Sequence, residues 1–151
     1  MRFNGEWLQC DDGVVRPVLR AEILAGANDW RRVELLIDTG ADRTVLSAHV
    51  LAMLMLPHAP VGDRLAGAGG LIDTVAVRTQ LSILRDDGIP VTLRGNYAAC
   101  TQLAALDMSV LGRDILDMFT LIVDRPGNQI ALIGGEHHYS IGTQRAPSAM
   151  P

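Results

Sequence analysis

The chain has 151 residues, 48% of them hydrophobic, with a formal net charge of −4. That is enough for one domain with one core, and too apolar for a disordered chain. The charge is too mild to imply a partner, and without a basic run nucleic acid is not an expected one. All 13 basic residues are Arg, which excludes Schiff-base and Lys-nucleophile chemistry.

Residues 1–13 are polar apart from Trp7 and a few others, and read as a loosely held start. Val14 to Leu24 is rich in Val, Leu and Ile and predicts a strand. The cluster Gly26-Ala27-Asn28-Asp29 is a turn, and Arg32 to Ile37 returns as the second strand of a hairpin. Asp38-Thr39-Gly40 then follows directly on an apolar strand. Ser47 can cap a short helix, Ala48 to Met55, stopped by Pro57.

Leu65 to Ile83 carries Gly67-Ala68-Gly69-Gly70 and then Val75, Val77, Leu81 and Ile83 at even spacings. This predicts a glycine-tipped hairpin feeding a long strand. Asp86-Asp87-Gly88 is a second hairpin turn, with Val91 to Tyr97 returning. Met108 to Leu111 reads as a buried strand and Gly112 to Met118 as one or two helical turns. Phe119 to Val123 and Gln129 to Ile133 flank the turn Arg125-Pro126-Gly127-Asn128. From Gly134 the composition turns small and polar, so 135–151 is expected to be a flexible tail. The expected domain is therefore mostly β with two short helices, over residues 14–134.

The longest wholly apolar run, Val50 to Leu56, is far short of the roughly 20 residues of a spanning helix. The N-terminus has no apolar signal core, so a cytoplasmic protein without a membrane segment is expected. Cys10 and Cys100 read as two free thiols rather than a disulfide framework. The His residues, 49, 58, 137 and 138, make no zinc spacing with Cys or Asp, and no cofactor or metal is expected. There is no Gly-x-Ser-x-Gly elbow and no phosphate loop.

Three stretches, in order, carry a resemblance: "LLIDTGADRTVLS" (Leu35 to Ser47), "GAGGLIDTVAV" (Gly67 to Val77) and "SVLGRDIL" (Ser109 to Leu116). Asp-Thr-Gly alone is a weak signal. Asp-Thr-Gly-Ala-Asp after an apolar strand is stronger, and all three in order make chance an improbable source. The chain resembles the retropepsin-like aspartic proteases, and its all-Arg usage fits a bacterial member.

The resemblance implies a single-lobe closed β-barrel with a flap hairpin. It implies peptide hydrolysis by two carboxylates that share one proton and hold one water. One takes a proton from the attacking water and the other donates to the carbonyl oxygen. Such a pair cannot readily ionise twice, as in the known enzymes of this class. The catalytic residues would be Asp38, Thr39 and Gly40, with Asp38 buried at its strand end and Thr39 reaching the partner chain. The chain holds no second Asp-Thr-Gly or Asp-Ser-Gly, since Asp73-Thr74 lacks the Gly. The twin must therefore come from a second copy in a homodimer.

Also by resemblance, Asp42 would pair with Arg113 and bind substrate backbone. A buried pair of this kind would cost about 3–5 kcal/mol to break. The plainer reading is a structural ion pair. Gly67, Ala68 and Gly69 would form the flap tip, or else a plain mobile hairpin. Met108 and Val110 would line the pocket beside the scissile bond, although Val110 could simply be core. Arg43 is more readily an exposed Arg than a substrate contact. The C-terminal hairpin departs from the viral pattern of one final strand and leaves the form of the dimer sheet open. The competing function is a catalytically silent dimer that binds peptides or serves assembly.

Overall fold

The architecture follows from apolar residues at alternate positions of four long strands. The computed structural model describes residues 1–60, 65–67 and 70–135. In β3 (Val15–Ala25), Leu19, Ala21, Ile23 and Ala25 point inward while Arg20 and Glu22 point out. In β4 (Asp29–Ile37) the inward set is Val33, Leu35 and Ile37. Val77, Leu81 and Ile83 of β9 (Thr74–Leu84) and Tyr97 and Ala99 of β10 (Pro90–Cys100) complete the core face. A period of two puts each set on one face of its strand.

These strands close a barrel. The hydrogen-bonded order runs β3, β4, β11 (Ser109–Leu111), β5 (Val45–Leu46), β10, β9, and β9 returns to β3 through Glu22–Ser82 and Ile23–Leu81. The long sheet is extended at its ends by β2 (Glu6–Gln9) on β3 and β6 (His58–Pro60) on β9. Closure leaves six strands without an open edge around the core. The fold is thus the mostly-β closed barrel expected from the sequence. Both hairpins form, β3–β4 and β9–β10, the latter turning at Gly88, whose φ of +82° suits glycine.

Helix α1 (Ala48–Leu54) is capped by Ser47, whose hydroxyl accepts from the Val50 N–H at 3.4 Å, and it buries Leu54. Helix α2 (Arg113–Leu116) buries Ile115 and Leu116 and is shorter than the expected segment. The glycine-rich segment forms β7 (Leu65–Gly67) and β8 (Gly70–Ile72), paired Gly67 to Gly70. Ala68 and Gly69, at the expected flap tip, lie outside the described residues, as does the expected tail from residue 136 on.

The N-terminal start is not loose. β1 (Arg2–Asn4) pairs antiparallel with β13 (Gln129–Ile133), which pairs with β12 (Thr120–Asp124) in a separate three-stranded sheet. The cause is one side chain. Phe3 is fully buried and meets Phe119 edge-on, with ring centroids 5.4 Å apart, a favoured aromatic geometry. Arg125 lies over the Trp7 ring, 4.6 Å from its centroid, and ties the β12–β13 turn to β2. Cys10 and Cys100 are both free, and burial pushes the Cys100 thiol pKa up. No helix among the described residues is long and apolar enough to cross a membrane.

Because β1 is held by one large buried ring, Phe3→Ala should cost about 3–5 kcal/mol of stability. A denaturant melt of parent and variant checks this. A loss under about 1 kcal/mol, the scale of an ordinary surface change, would return residues 1–13 to a loose start.

Candidate active site

Asp38 is placed by the parallel pairing of β4 with β11. The ladder pairs Leu111 with Ile37, and one step on the Asp38 N–H donates to the Leu111 carbonyl at 3.2 Å. The chain then turns sharply. The Ala41 N–H donates to the Asp38 carbonyl at 3.2 Å, and the Gly40 N–H donates to Asp38 Oδ1 at 2.8 Å. One carboxylate oxygen is thereby fixed by backbone. Among the described residues the second oxygen accepts no hydrogen bond. Asp38 is only half-buried in a single chain, less enclosed than the sequence reading expected, and Thr39 and Gly40 are exposed.

The loop after Asp38 is stitched to the segment after β11. The Arg113 N–H donates to the Ala41 carbonyl at 2.8 Å, and the Asp114 N–H to the Asp42 carbonyl at 3.2 Å. Thr44 donates to Asp114 Oδ1 twice, from its N–H at 2.8 Å and its hydroxyl at 2.7 Å. The Gly112 N–H donates back to Thr44 Oγ1 at 3.1 Å. Gly112 is required by close approach: a Cβ there would collide with the Arg43 carbonyl and sit 2.8 Å from the Thr44 nitrogen. Ser109 Oγ accepts from the Ser47 N–H at 2.9 Å and links β11 to the start of α1.

Thr44 and Asp114 were not singled out from sequence as functional residues. The available signal was a small polar residue, Thr44, set between charged Arg43 and an apolar run, which is 1% exposed in the fold. Such a residue must find hydrogen bonds inside. Asp114 sits in the first turn of α2, yet its carboxylate is spent on Thr44. Burial, and next the Asp114 charge, push the Tyr97 phenol up to about 12.

Arg113 and Asp42 do form the expected ion pair, and it holds the Arg113 pKa above its ordinary value, chiefly through the hydrogen bond to Asp42. The pair is exposed, however, with side chains 52% and 79% accessible. The cost expected of a buried pair therefore does not apply, and about 0–1 kcal/mol is the proper scale in one chain. Val110 is buried within β11, opposite Leu36 and Val45. Met108 is half-buried and lines a 600 Å³ groove with Ser47, His49 and Met53, and that lining does not include Asp38, Thr39 or Gly40. The fold thus gathers Asp38, Gly40, Asp42 and Arg113 in one stitched corner. Met108 faces a different groove.

The family model described as "Aspartyl protease" matches residues 21–115, more than half of the chain. The chain belongs to the aspartyl protease family. Its activity is that of an aspartic-type peptidase, and the matched span contains Asp38 and the whole stitched loop. No curated protein matches. Among solved structures, a retropepsin-like aspartic protease from Rickettsia conorii is similar in fold. Its TM-score is 0.54 at 16% identity, over 87% of this chain and 90% of that one. The EIAV protease complexed with the inhibitor HBY-793 has a TM-score of 0.50 at 24% identity, over 68% of this chain and 86% of that one. The fold is retropepsin-like.

Thr44→Val keeps the shape of the side chain but removes the hydroxyl. Gly112 then loses an acceptor and Asp114 a donor in a buried place. The expected cost is about 1–3 kcal/mol, whereas Arg113→Ala should cost no more than about 1 kcal/mol. Chemical denaturation of both variants checks the order. A larger loss in Arg113→Ala would mean that the side-chain pair, and not the backbone stitching, holds the corner.

Proposed function

We propose that the protein is an endopeptidase whose catalytic pair is Asp38 and the Asp38 of a second copy, related by a two-fold axis. The observation that carries this is the half-open Asp38 carboxylate, one oxygen fixed by the Gly40 N–H at 2.8 Å, in a chain with no second Asp-Thr-Gly. A pair of such carboxylates facing each other holds one water and one proton between them. One carboxylate removes a proton from the water as it attacks the peptide carbonyl; the other delivers its proton to the carbonyl oxygen.

In this reading Thr39 braces the two loops across the axis, and Asp42 offers its carboxylate to substrate backbone beside Arg113. The β7–β8 hairpin covers the substrate through the Gly67, Ala68 and Gly69 segment, and Val110 backs the cleft from β11. The dimer sheet would grow from β12. The outer edge of β1 is partly occupied, because the Arg2 carbonyl accepts from the Asp86 N–H at 3.0 Å. β12 pairs only with β13 among the described residues, and its Ile122 and Val123 are exposed. An unpaired strand edge is a template for a second copy. Two-fold pairing of β12 would extend each three-stranded sheet into a six-stranded one.

Asp38→Asn is nearly isosteric and removes the ionisable group from both members of the pair. Peptide cleavage should fall by several orders of magnitude, since one acid–base step contributes about 10²–10⁴-fold. The fold should survive, and a thermal melt checks that. Retained cleavage would place the activity elsewhere. A dimeric parent that binds peptides and cleaves none would favour a silent binding module instead.

A further inference from the structure

Five of the 11 arginines among the described residues form an ion pair with an acid: Arg16 with Asp12, Arg20 with Glu6, Arg31 with Asp29, Arg85 with Asp87, Arg113 with Asp42. Arg78 on β9 and Arg94 on β10 are among those that do not, and they are set apart by lying next to each other, although the chain has 17 acidic residues against 13 basic ones. Both are exposed. The register pairs Arg78 with Asn96 and Arg94 with Gln80, so the two arginines are diagonal neighbours on one face. Long side chains reach across that diagonal, and like charges there repel.

The same four side chains rim a groove of about 630 Å³ whose lining also includes Leu24 and Leu56 and, among the described residues, no carboxylate. The groove has a cause in the topology. β9 pairs with β6 as far as Val77 and with β3 from Leu81 on. Between these two partners the barrel wall is bridged by the Thr79 hydroxyl, which donates to the Leu24 carbonyl at 2.6 Å. The result is a recess with apolar side chains beside two guanidinium groups and two carboxamides.

We infer that this recess is an exosite for an acidic, extended segment of a protein substrate, an inference that rests on the peptidase reading above. The guanidinium groups suit carboxylates. The carboxamides can meet peptide backbone, and Leu24 and Leu56 offer contact to an apolar side chain between the acids. Position fits as well. β9 begins at Thr74, just after the β7–β8 hairpin, and Arg78 lies four residues along it, roughly 13 Å at strand rise. A chain leaving the region of that hairpin could reach the groove in a few extended residues.

The test is binding of a fluorescein-labelled Glu-rich peptide containing Leu, read by anisotropy, to the parent and to an Arg78→Gln, Arg94→Gln double variant. A Gln-rich peptide of equal length is the control. The Glu-rich peptide should bind the parent, weaken with salt, and bind the variant about tenfold less tightly, with the melting temperature unchanged. A cleavable peptide extended by the Glu-rich segment should have a lower KM than the unextended one in the parent and not in the variant, at equal kcat. Equal binding by both proteins, or equal binding of the Gln-rich control, overturns the exosite. So does displacement of the peptide by inorganic phosphate or a single-stranded oligonucleotide at lower concentration than by unlabelled peptide. Binding needs no catalysis, so the same anisotropy measured on Asp38→Asn separates a failure of the catalytic pair from a failure of the exosite.

Discussion

One hydrogen bond sets the terms for the rest of the molecule: the Gly40 N–H to Asp38 Oδ1 at 2.8 Å. It fixes a carboxylate by backbone alone, at the end of a strand, without enclosing it. In the proposed dimer that carboxylate can meet its twin only if the turn that carries it does not move. The turn is held because its own backbone is paired to the segment after β11, through Leu111, Arg113 and Asp114. Backbone bracing of this kind depends on approach distance, which is why the position facing Arg43 and Thr44 is Gly112. The exposed Arg113–Asp42 pair is an addition to that frame and not its foundation.

The barrel supplies the rigidity that the turn borrows. β11 has only three residues, yet it lies between β4 and β5 and is buried throughout. Closure through β3 and β9 leaves the long strands without free edges. The separate sheet of β1, β13 and β12 is different in kind. It keeps an edge at β12, the strand that follows α2 in the chain, and the first residues of α2 brace the Asp38 loop. A second copy added at that edge would be tied to the catalytic turn by a short, stiff path.

The long strands were legible as runs rich in Val, Leu and Ile, Val14 to Leu24 and Arg32 to Ile37, and by the even spacing of Val75, Val77, Leu81 and Ile83. Ser47 was legible as a cap for the same reason of local chemistry. β5, two residues long, and β6, with its Pro60, carry too little pattern to show before their partners are known. β1 was hidden for another reason. Its single buried ring, Phe3, finds Phe119 from more than a hundred residues away in sequence, and no local signal records that meeting. In the site, the Asp-Thr-Gly and the Gly-Arg-Asp stretch were visible as motifs. The partnership of Thr44 with Asp114 was not, because it depends on two segments being brought within hydrogen-bond distance by the parallel β4–β11 pairing. The exposure of the Arg113–Asp42 pair was hidden likewise, since charge identity says nothing of depth.

The central claim is that one catalytic site is built from two chains. Its most direct measurement is peptide cleavage by parent protein mixed and re-equilibrated with increasing Asp38→Asn protein, at constant total concentration well above the dimer dissociation constant. If each site needs both Asp38 carboxylates, a mixed dimer is inactive, and activity falls as the square of the parent fraction. A strictly linear fall, with each parent chain keeping its full share of turnover whatever its partner, would contradict the account.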